Sequence, residues 1–261
     1  SIVAIGGQIG AILAAVLASL IIPAFGWKML YVIGLFPVLM VLWIRKDIKE
    51  PESFQATNRA DRGHLGLLFK DSKTSWQTIG LSLMVMVQIA GYFGLMNWLP
   101  KIMQDQLNLN IAGSSLWMVS TILGMSVGMM TFGTIMDKLG SRFSYTIFLI
   151  CSAASVYLLV LANSKVTLIL AAVVVGYFIN GMYGGYGAII SSLYPTEIRA
   201  TANNFIMNIG RAVCGFSSVI IGFLLDKYSL MIVVVFLSLI YIFSLVIMMT
   251  IPGIGKLKNA N

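Results

Sequence analysis

Eight long apolar runs constrain this chain more than any other feature of its sequence. They cover approximately residues 2–22, 29–44, 77–99, 112–136, 144–162, 166–190, 202–225 and 229–251. A helix needs about 17–25 apolar residues to cross the hydrocarbon of a bilayer, and most of these runs reach that length. None of them shows the ten-residue alternation that is typical of a membrane barrel strand. The predicted fold class is therefore all-α, a polytopic membrane helical bundle.

The composition agrees with a membrane protein and disfavours catalysis. Hydrophobic residues make up 59% of the chain and charged residues 10%, whereas a soluble domain carries about 25% charged residues. The single histidine, His64, lies in a polar stretch, and Cys151 and Cys214 lie inside apolar runs. These residues predict no disulfide framework, metal site or hydrolytic triad. We therefore expect no enzymatic activity, no cofactor and no metal.

The basic residues indicate an orientation in the membrane and not a nucleic-acid partner. Loops after even-numbered runs hold 12 of the 17 lysines and arginines, loops after odd-numbered runs hold four, and Arg211 lies within a run. The side richer in Lys and Arg is cytoplasmic by the positive-inside rule. The net charge of +8 thus reports topology.

One charged stretch divides the chain. Residues 46–75 are polar, and the other connections between runs are short. The predicted domains are residues 1–45, a cytoplasmic linker over residues 46–75, and residues 76–261. Because Ser1 already lies inside an apolar run, we also expect the sequence to be a fragment of a longer protein.

The connection between the fourth and fifth runs carries a family signature. It reads GTIMDKLGSR over residues 133–142 and resembles the G-x-x-x-D-[RK]-x-G-x-[RK] motif of the major facilitator superfamily. The resemblance implies that runs three to eight are the C-terminal six-helix half of a twelve-helix transporter. Runs one and two would then be helices five and six of the N-terminal half, and helices one to four would be missing partners. The stretches at residues 26–28 (GWK) and 51–53 (PES) resemble further family motifs.

Charged residues at the cytoplasmic side are candidates for a gate. The segment YPTEIRAT at residues 194–201 resembles the family motif after helix ten, and Pro195 predicts that the preceding helix ends nearby. Glu197 and Arg199 can bridge neighbouring helices in one conformation and separate in another. The alternative is a solvated surface pair worth about 0–1 kcal/mol. With them, the gating residues implied by the resemblance are Asp137, Lys138 and Arg142.

Arg211 is the main candidate for binding a solute. It lies 12 positions beyond Arg199, or about 18 Å along a helix, which places a guanidinium near the bilayer midplane. An ionisable group at that depth indicates function by default. The run NIGRA at residues 208–212 resembles that of sialate and lactate symporters, although Met207 replaces their tyrosine. Arg211 is therefore predicted to bind a substrate carboxylate, and a structural ion pair to a missing helix is the alternative.

Other polar side chains lie in the same apolar runs. Asn204, Asn208, Arg211, Gly215, Ser218 and Gly222 recur every three or four residues and predict one polar or small stripe on a helix. Each of the remaining candidates is either a solute contact or a packing residue. The predicted substrate-binding set is Arg211, Asn208, Asn180, Tyr183, Gln88, Tyr92 and Gln8.

Together these observations predict a secondary transporter in the plasma membrane, namely the bacterial cytoplasmic membrane. The expected activity is uptake of a small organic acid, monocarboxylate or sialate-like, by alternating access. The expected partners are this anionic solute, protons and the lipid bilayer, with no nucleic acid. The alternatives are an exporter of drugs or metabolites and a truncated membrane protein that does not transport.

Overall fold

The computed structural model describes residues 64–107 and 111–256, and, before them, the helix Lys28–Gly34 and a few positions between residues 10 and 41. The chain divides into two compact units. Ile2–Ala60 form one, and Asp61–Asn261 with Ser1 form the other. The first unit contributes helix α1, Lys28–Gly34. Most of the first two apolar runs and most of the linker lie outside the described residues.

The second unit is built from helices, and its described part contains no strand. A short 3-10 turn, Leu65–Phe69, precedes them. The helices are α2 (Ser72–Leu107), α3 (Ile111–Leu139), α4 (Ser141–Ser155), α5 (Leu158–Leu161), α6 (Lys165–Gly181), α7 (Tyr183–Leu193), α8 (Thr196–Lys227) and α9 (Leu230–Thr250). Five stretches of the described chain are long and apolar enough to cross a membrane: Ser72–Trp98, Ser141–Leu161, Lys165–Leu193, Thr196–Lys227 and Leu230–Thr250. The prediction of a helical membrane bundle is confirmed.

The helices extend beyond the apolar runs because polar caps and turn residues set their ends. Helix α2 starts at Ser72, where the Asp71 carboxylate accepts the Thr74 backbone N–H at 2.8 Å. Hydrogen bonds from Thr74 to this exposed carboxylate lower the pKa of Asp71. Helix α8 starts at Thr196. Only Tyr194 and Pro195 separate α7 from α8, so Glu197 and Arg199 lie in the first turn of α8.

A single residue joins α3 to α4 in the family motif. Gly140 has φ 82° and ψ 156°, in a region that only glycine adopts readily. The backbone therefore reverses between Leu139 and Ser141 without a loop. This geometry gives a physical reason for the last glycine of the motif.

The end of the predicted linker packs against the second unit. Leu68 in the 3-10 turn is fully buried, and the ring of Phe69 lies edge-on to Phe205 of α8 with 5.8 Å between centroids. Leu68 and Phe69 thus pack with the helices of the second unit, and the predicted bounds of the linker stay a prediction.

Small residues let α3 and α6 approach each other closely. A Cβ atom on Gly124, Gly128 or Gly176 would overlap backbone carbonyl oxygen atoms of the opposite helix. Helices in lipid associate mainly through such close packing, since lipid offers no hydrophobic driving force between them. The glycines of these two helices therefore position the middle of α6.

Helix α2 is tied to its neighbours at both ends of the membrane-spanning region. Near its start, Trp76 Nε1 donates to Thr250 Oγ1 at 3.2 Å, and Gln77 Nε2 donates to the Pro252 carbonyl at 2.8 Å. Near residue 98, Trp98 Nε1 donates to the Ser218 carbonyl at 2.7 Å. The start of α2 and the end of α9 thus share one end of the bundle, as the predicted orientation requires.

The α3–α6 contact predicts a stability difference between two glycine substitutions. Gly128→Ala should lower the midpoint of thermal unfolding in detergent, because overpacking costs about 1–3 kcal/mol. Gly187→Ala is the matched control, since a Cβ atom there meets nothing within 4 Å. An unfolding midpoint for Gly128→Ala equal to or above that of Gly187→Ala would contradict the packing described here.

Candidate functional site

The sixth apolar run contains one irregular turn in an otherwise continuous span, Lys165–Leu193. Helix α6 ends at Gly181 and α7 begins at Tyr183, and Met182 between them keeps helical dihedrals, φ −65° and ψ −15°. The Met182 carbonyl accepts the Gly185 backbone N–H at 3.1 Å and the Tyr145 hydroxyl of α4 at 3.0 Å. Backbone groups in lipid must be satisfied within the protein, and these two donors satisfy this carbonyl. We call residues 180–183 the broken turn.

Two predicted amides meet on one side of the broken turn. Gln88 of α2 and Asn180 are 1% and 5% exposed, and Gln88 Nε2 donates to Asn180 Oδ1. Gln88 Oε1 is buried and has no hydrogen-bond partner among the described residues. The pair links α2 to the broken turn. Solute binding by either amide stays a prediction.

Arg211 and Tyr183 meet at the C-terminal end of the broken turn. Arg211 lies near the middle of the 32-residue helix α8 and is exposed. Its Nη2 donates to the Tyr183 hydroxyl at 3.0 Å. The sequence predicted both residues for one site. The structure brings them together although they lie 28 positions apart in the chain.

Asn208 extends this exposed face by one turn. It is exposed, three residues before Arg211 on α8, so both side chains share one side of the helix. Asn208 lines an open groove along α8 with Leu65, Thr201, Asn204, Phe205, Ile209 and Ala212.

The predicted stripe on α8 divides into two parts. Asn204, Asn208 and Arg211 are exposed. The Ser218 hydroxyl instead accepts a hydrogen bond from Asn97 Nδ2 at 2.8 Å, and Gly222 lies against the Trp98 ring. The second part of the stripe is therefore a packing surface for α2.

Tyr92 lies in an apolar environment away from the exposed face of α8. Tyr92 is half-buried and lies edge-on to Phe93, with 5.0 Å between centroids. It lines a small apolar pocket with Leu95, Met96, Thr121, Leu159, Ala172, Val175, Gly176 and Ile179. Gln8 lies outside the described residues.

The predicted gating residues lie at the end of the bundle where α2 begins. Asp137 and Lys138 are exposed near the end of α3. Arg142 Nη2 donates to the Met249 carbonyl at 3.3 Å, and Arg199 Nε donates to the Tyr194 carbonyl at 3.4 Å. Within residues 64–107 and 111–256, the five gating candidates form no ion pair with one another. The gate stays a prediction.

A buried hydroxyl pair near the same end was missed from sequence. The Tyr194 hydroxyl lies 2.7 Å from Thr78 Oγ1, which donates to the Leu68 carbonyl at 3.0 Å. Burial raises the pKa of the Tyr194 phenol, and the hydrogen bond to Thr78 partly opposes that rise. The tyrosine of the family motif was a visible signal, but its partner is 116 residues away.

The sequence also matches a known protein family. The pattern of the Major Facilitator Superfamily matches residues 1–203 and, in a second alignment, residues 81–258. The chain belongs to the Major Facilitator Superfamily. Its helical fold and the motif around Gly140 agree with this membership.

Several relatives of this major facilitator chain have been assigned to transport. A Haemophilus influenzae protein assigned to metabolite transport is 35% identical over 99% of this chain and 65% of its own length. The cis,cis-muconate transport protein of Acinetobacter baylyi is 29% identical over 86% of this chain and 56% of its own length. The sialic acid transporter NanX of Escherichia coli is 29% identical over 98% of this chain and 64% of its own length.

The names of these relatives bear on the prediction that the major facilitator chain is not an enzyme. The three are transport proteins and not enzymes, which agrees with the expectation that this protein is not an enzyme. The chain spans 56–65% of their lengths.

The buried amide pair predicts non-additive changes in stability. Gln88→Leu and Asn180→Leu should each destabilise the protein by about 1–3 kcal/mol, because each leaves a buried polar partner unsatisfied. The double variant should be less destabilised than the sum of the two. Denaturation in detergent of the wild type and the three variants measures the coupling. Strict additivity would show that the two amides do not interact.

Proposed function

We propose that the protein takes up a small organic acid across the bacterial cytoplasmic membrane by alternating access. Arg211 binds the carboxylate of this solute. The observation that carries the proposal is the contact between the Arg211 guanidinium and the Tyr183 hydroxyl, at mid-helix on an exposed face of α8.

The chemistry of this pair suits a carboxylate. A guanidinium presents its N–H donors in a planar fork that matches two carboxylate oxygens, and it stays charged at any physiological pH. Because the Tyr183 oxygen accepts from Arg211, its own hydroxyl proton can be donated to a second acceptor. Asn208, on the same exposed face, can orient the rest of the solute. Asn180, three residues before Tyr183, and its partner Gln88 are the further polar side chains proposed to contact the solute.

The names of two relatives support this solute class. Cis,cis-muconate and sialic acid, which appear in those names, both carry carboxylates. We therefore propose a carboxylate solute in general. Muconate-like and sialate-like solutes are the first to test.

Proton coupling is part of the proposal, and the described helices limit its source. Their carboxylates lie at helix ends: Asp71, Asp105, Asp137, Glu197 and Asp226. Within the described helices, the solute itself is therefore the candidate proton carrier near the midplane.

We assign the cytoplasmic gate to the charged residues at the end where α2 begins. Asp137, Lys138, Arg142, Glu197 and Arg199 would exchange partners with the N-terminal half and close this side in the outward-open state. Tyr194 and Thr78 hold the connection between α7 and α8 beside them. This contact gives the gate a rigid base.

Substitution of Arg211 tests the carboxylate site. In cells that express the full-length protein, Arg211→Gln should reduce uptake of radiolabelled cis,cis-muconate or sialic acid by about 10- to 100-fold, because a charge-assisted hydrogen bond contributes about 1.5–3 kcal/mol. Uptake by Arg211→Lys should lie between that of the wild type and that of Arg211→Gln, since lysine keeps the charge and loses the planar fork of donors. The matched control is Lys165→Gln, an exposed cation at the start of α6.

Membrane abundance of each variant should be measured by quantitative immunoblot. Uptake by Arg211→Gln equal to that by Lys165→Gln, at equal abundance, would contradict the proposed role of Arg211.

A further inference from the structure

We infer that Tyr145 is a positioning residue for the solute site, because its phenol fixes the peptide group that carries Tyr183. This inference rests on the proposed function of the Arg211–Tyr183 pair. Tyr145 lies on α4, which contributes no residue to that pair. Its contribution therefore passes through the broken turn.

The contact acts on the peptide group directly before Tyr183. The Tyr145 hydroxyl donates to the Met182 carbonyl at 3.0 Å. That carbonyl and the Tyr183 nitrogen belong to one planar peptide group. A hydrogen bond that fixes the direction of the carbonyl therefore also fixes where the Tyr183 backbone begins. The Tyr183 side chain then reaches Arg211 at 3.0 Å.

The phenol is held rigidly in place. Tyr145 is fully buried. Its ring lies edge-on to Phe132 at 4.9 Å and tilted against Tyr186 at 5.3 Å. A Cβ atom on residue 185 would lie 2.8 Å from the Tyr145 hydroxyl oxygen, so Gly185 provides the space for the phenol. This glycine belongs to the glycine- and tyrosine-rich run GMYGGYG.

The broken turn is otherwise fixed on its N-terminal side. Asn180 is bonded to Gln88 of α2, and Gly181 packs against the Gly128 backbone of α3. Both contacts precede Met182. Tyr145 donates a side-chain hydrogen bond to Met182 itself, between these anchors and Tyr183.

The chain offers a closely matched control. Tyr186 is also fully buried, and its ring contacts Tyr145. Its hydroxyl has no hydrogen-bond partner among the described residues. Tyr145→Phe and Tyr186→Phe therefore remove the same atom from neighbouring buried sites, and only the first loses a hydrogen bond.

The experiment combines hydrogen exchange with uptake kinetics in the full-length protein. Tyr145→Phe should speed amide exchange in the peptide covering residues 182–187 by roughly two- to tenfold, the range expected for one lost hydrogen bond. The same variant should raise the KM for cis,cis-muconate or sialic acid by a similar factor, with little change in maximal rate per transporter. Tyr186→Phe should change neither quantity.

A double variant distinguishes a positioning role of Tyr145 from a general structural effect of its substitution. When Tyr183→Phe is already present, adding Tyr145→Phe should change KM little, because the group being positioned is gone. A full, additive increase in KM would overturn the inference. Unchanged exchange over residues 182–187 in Tyr145→Phe would also overturn it.

The two proposals fail in distinguishable ways. If Arg211 does not bind the solute, Arg211→Gln keeps its uptake while Tyr145→Phe still speeds exchange at the broken turn; the positioning role would then be wrong even though the contact is real. If Arg211→Gln abolishes uptake and Tyr145→Phe behaves like Tyr186→Phe in both measurements, the carboxylate site stands and only the inference about Tyr145 falls.

Discussion

A membrane-spanning helix must satisfy its backbone groups within the protein, and this constraint shapes the surroundings of Met182. The broken turn is surrounded by α2, α3, α4 and α8 through Gln88, Gly128, Tyr145 and Arg211. Close approach of α3 to α6, which glycines permit, brings these partners within reach. Packing between helices and the geometry of the candidate site are thus consequences of the same few residues.

Two buried polar contacts join α2 to the helix pair α6–α7. One is the Gln88–Asn180 amide pair, and the other is the Thr78–Tyr194 hydroxyl pair. On α2 they lie ten residues apart, which corresponds to about 15 Å of helix. These two contacts oppose both rotation and sliding of α2 relative to α6–α7. We therefore expect α2 and α6–α7 to move together as one unit.

The sequence predicted the helical membrane bundle because membrane-spanning helices depend on local composition. The orientation and the role of Arg211 stay predictions. Sequence reasoning did not find contacts between residues that are distant in the chain. The hydroxyl that donates to the Met182 carbonyl comes from Tyr145, 37 residues earlier. Gln88 and Asn180 were each predicted to be a solute contact or a packing residue. They are hydrogen-bonded to each other across 92 positions of the chain, and solute binding by either amide stays a prediction. Pro195 was predicted to follow the end of a helix, and the structure adds that Thr196 directly after it begins α8.

The most direct test of the account is a structure of the full-length protein with a carboxylate solute bound, such as cis,cis-muconate. The account predicts a carboxylate oxygen about 3 Å from an Arg211 Nη atom, with the Tyr183 hydroxyl within hydrogen-bond distance of the same group. A solute bound elsewhere, with the Arg211 guanidinium directed at a fixed carboxylate of the protein, would contradict it.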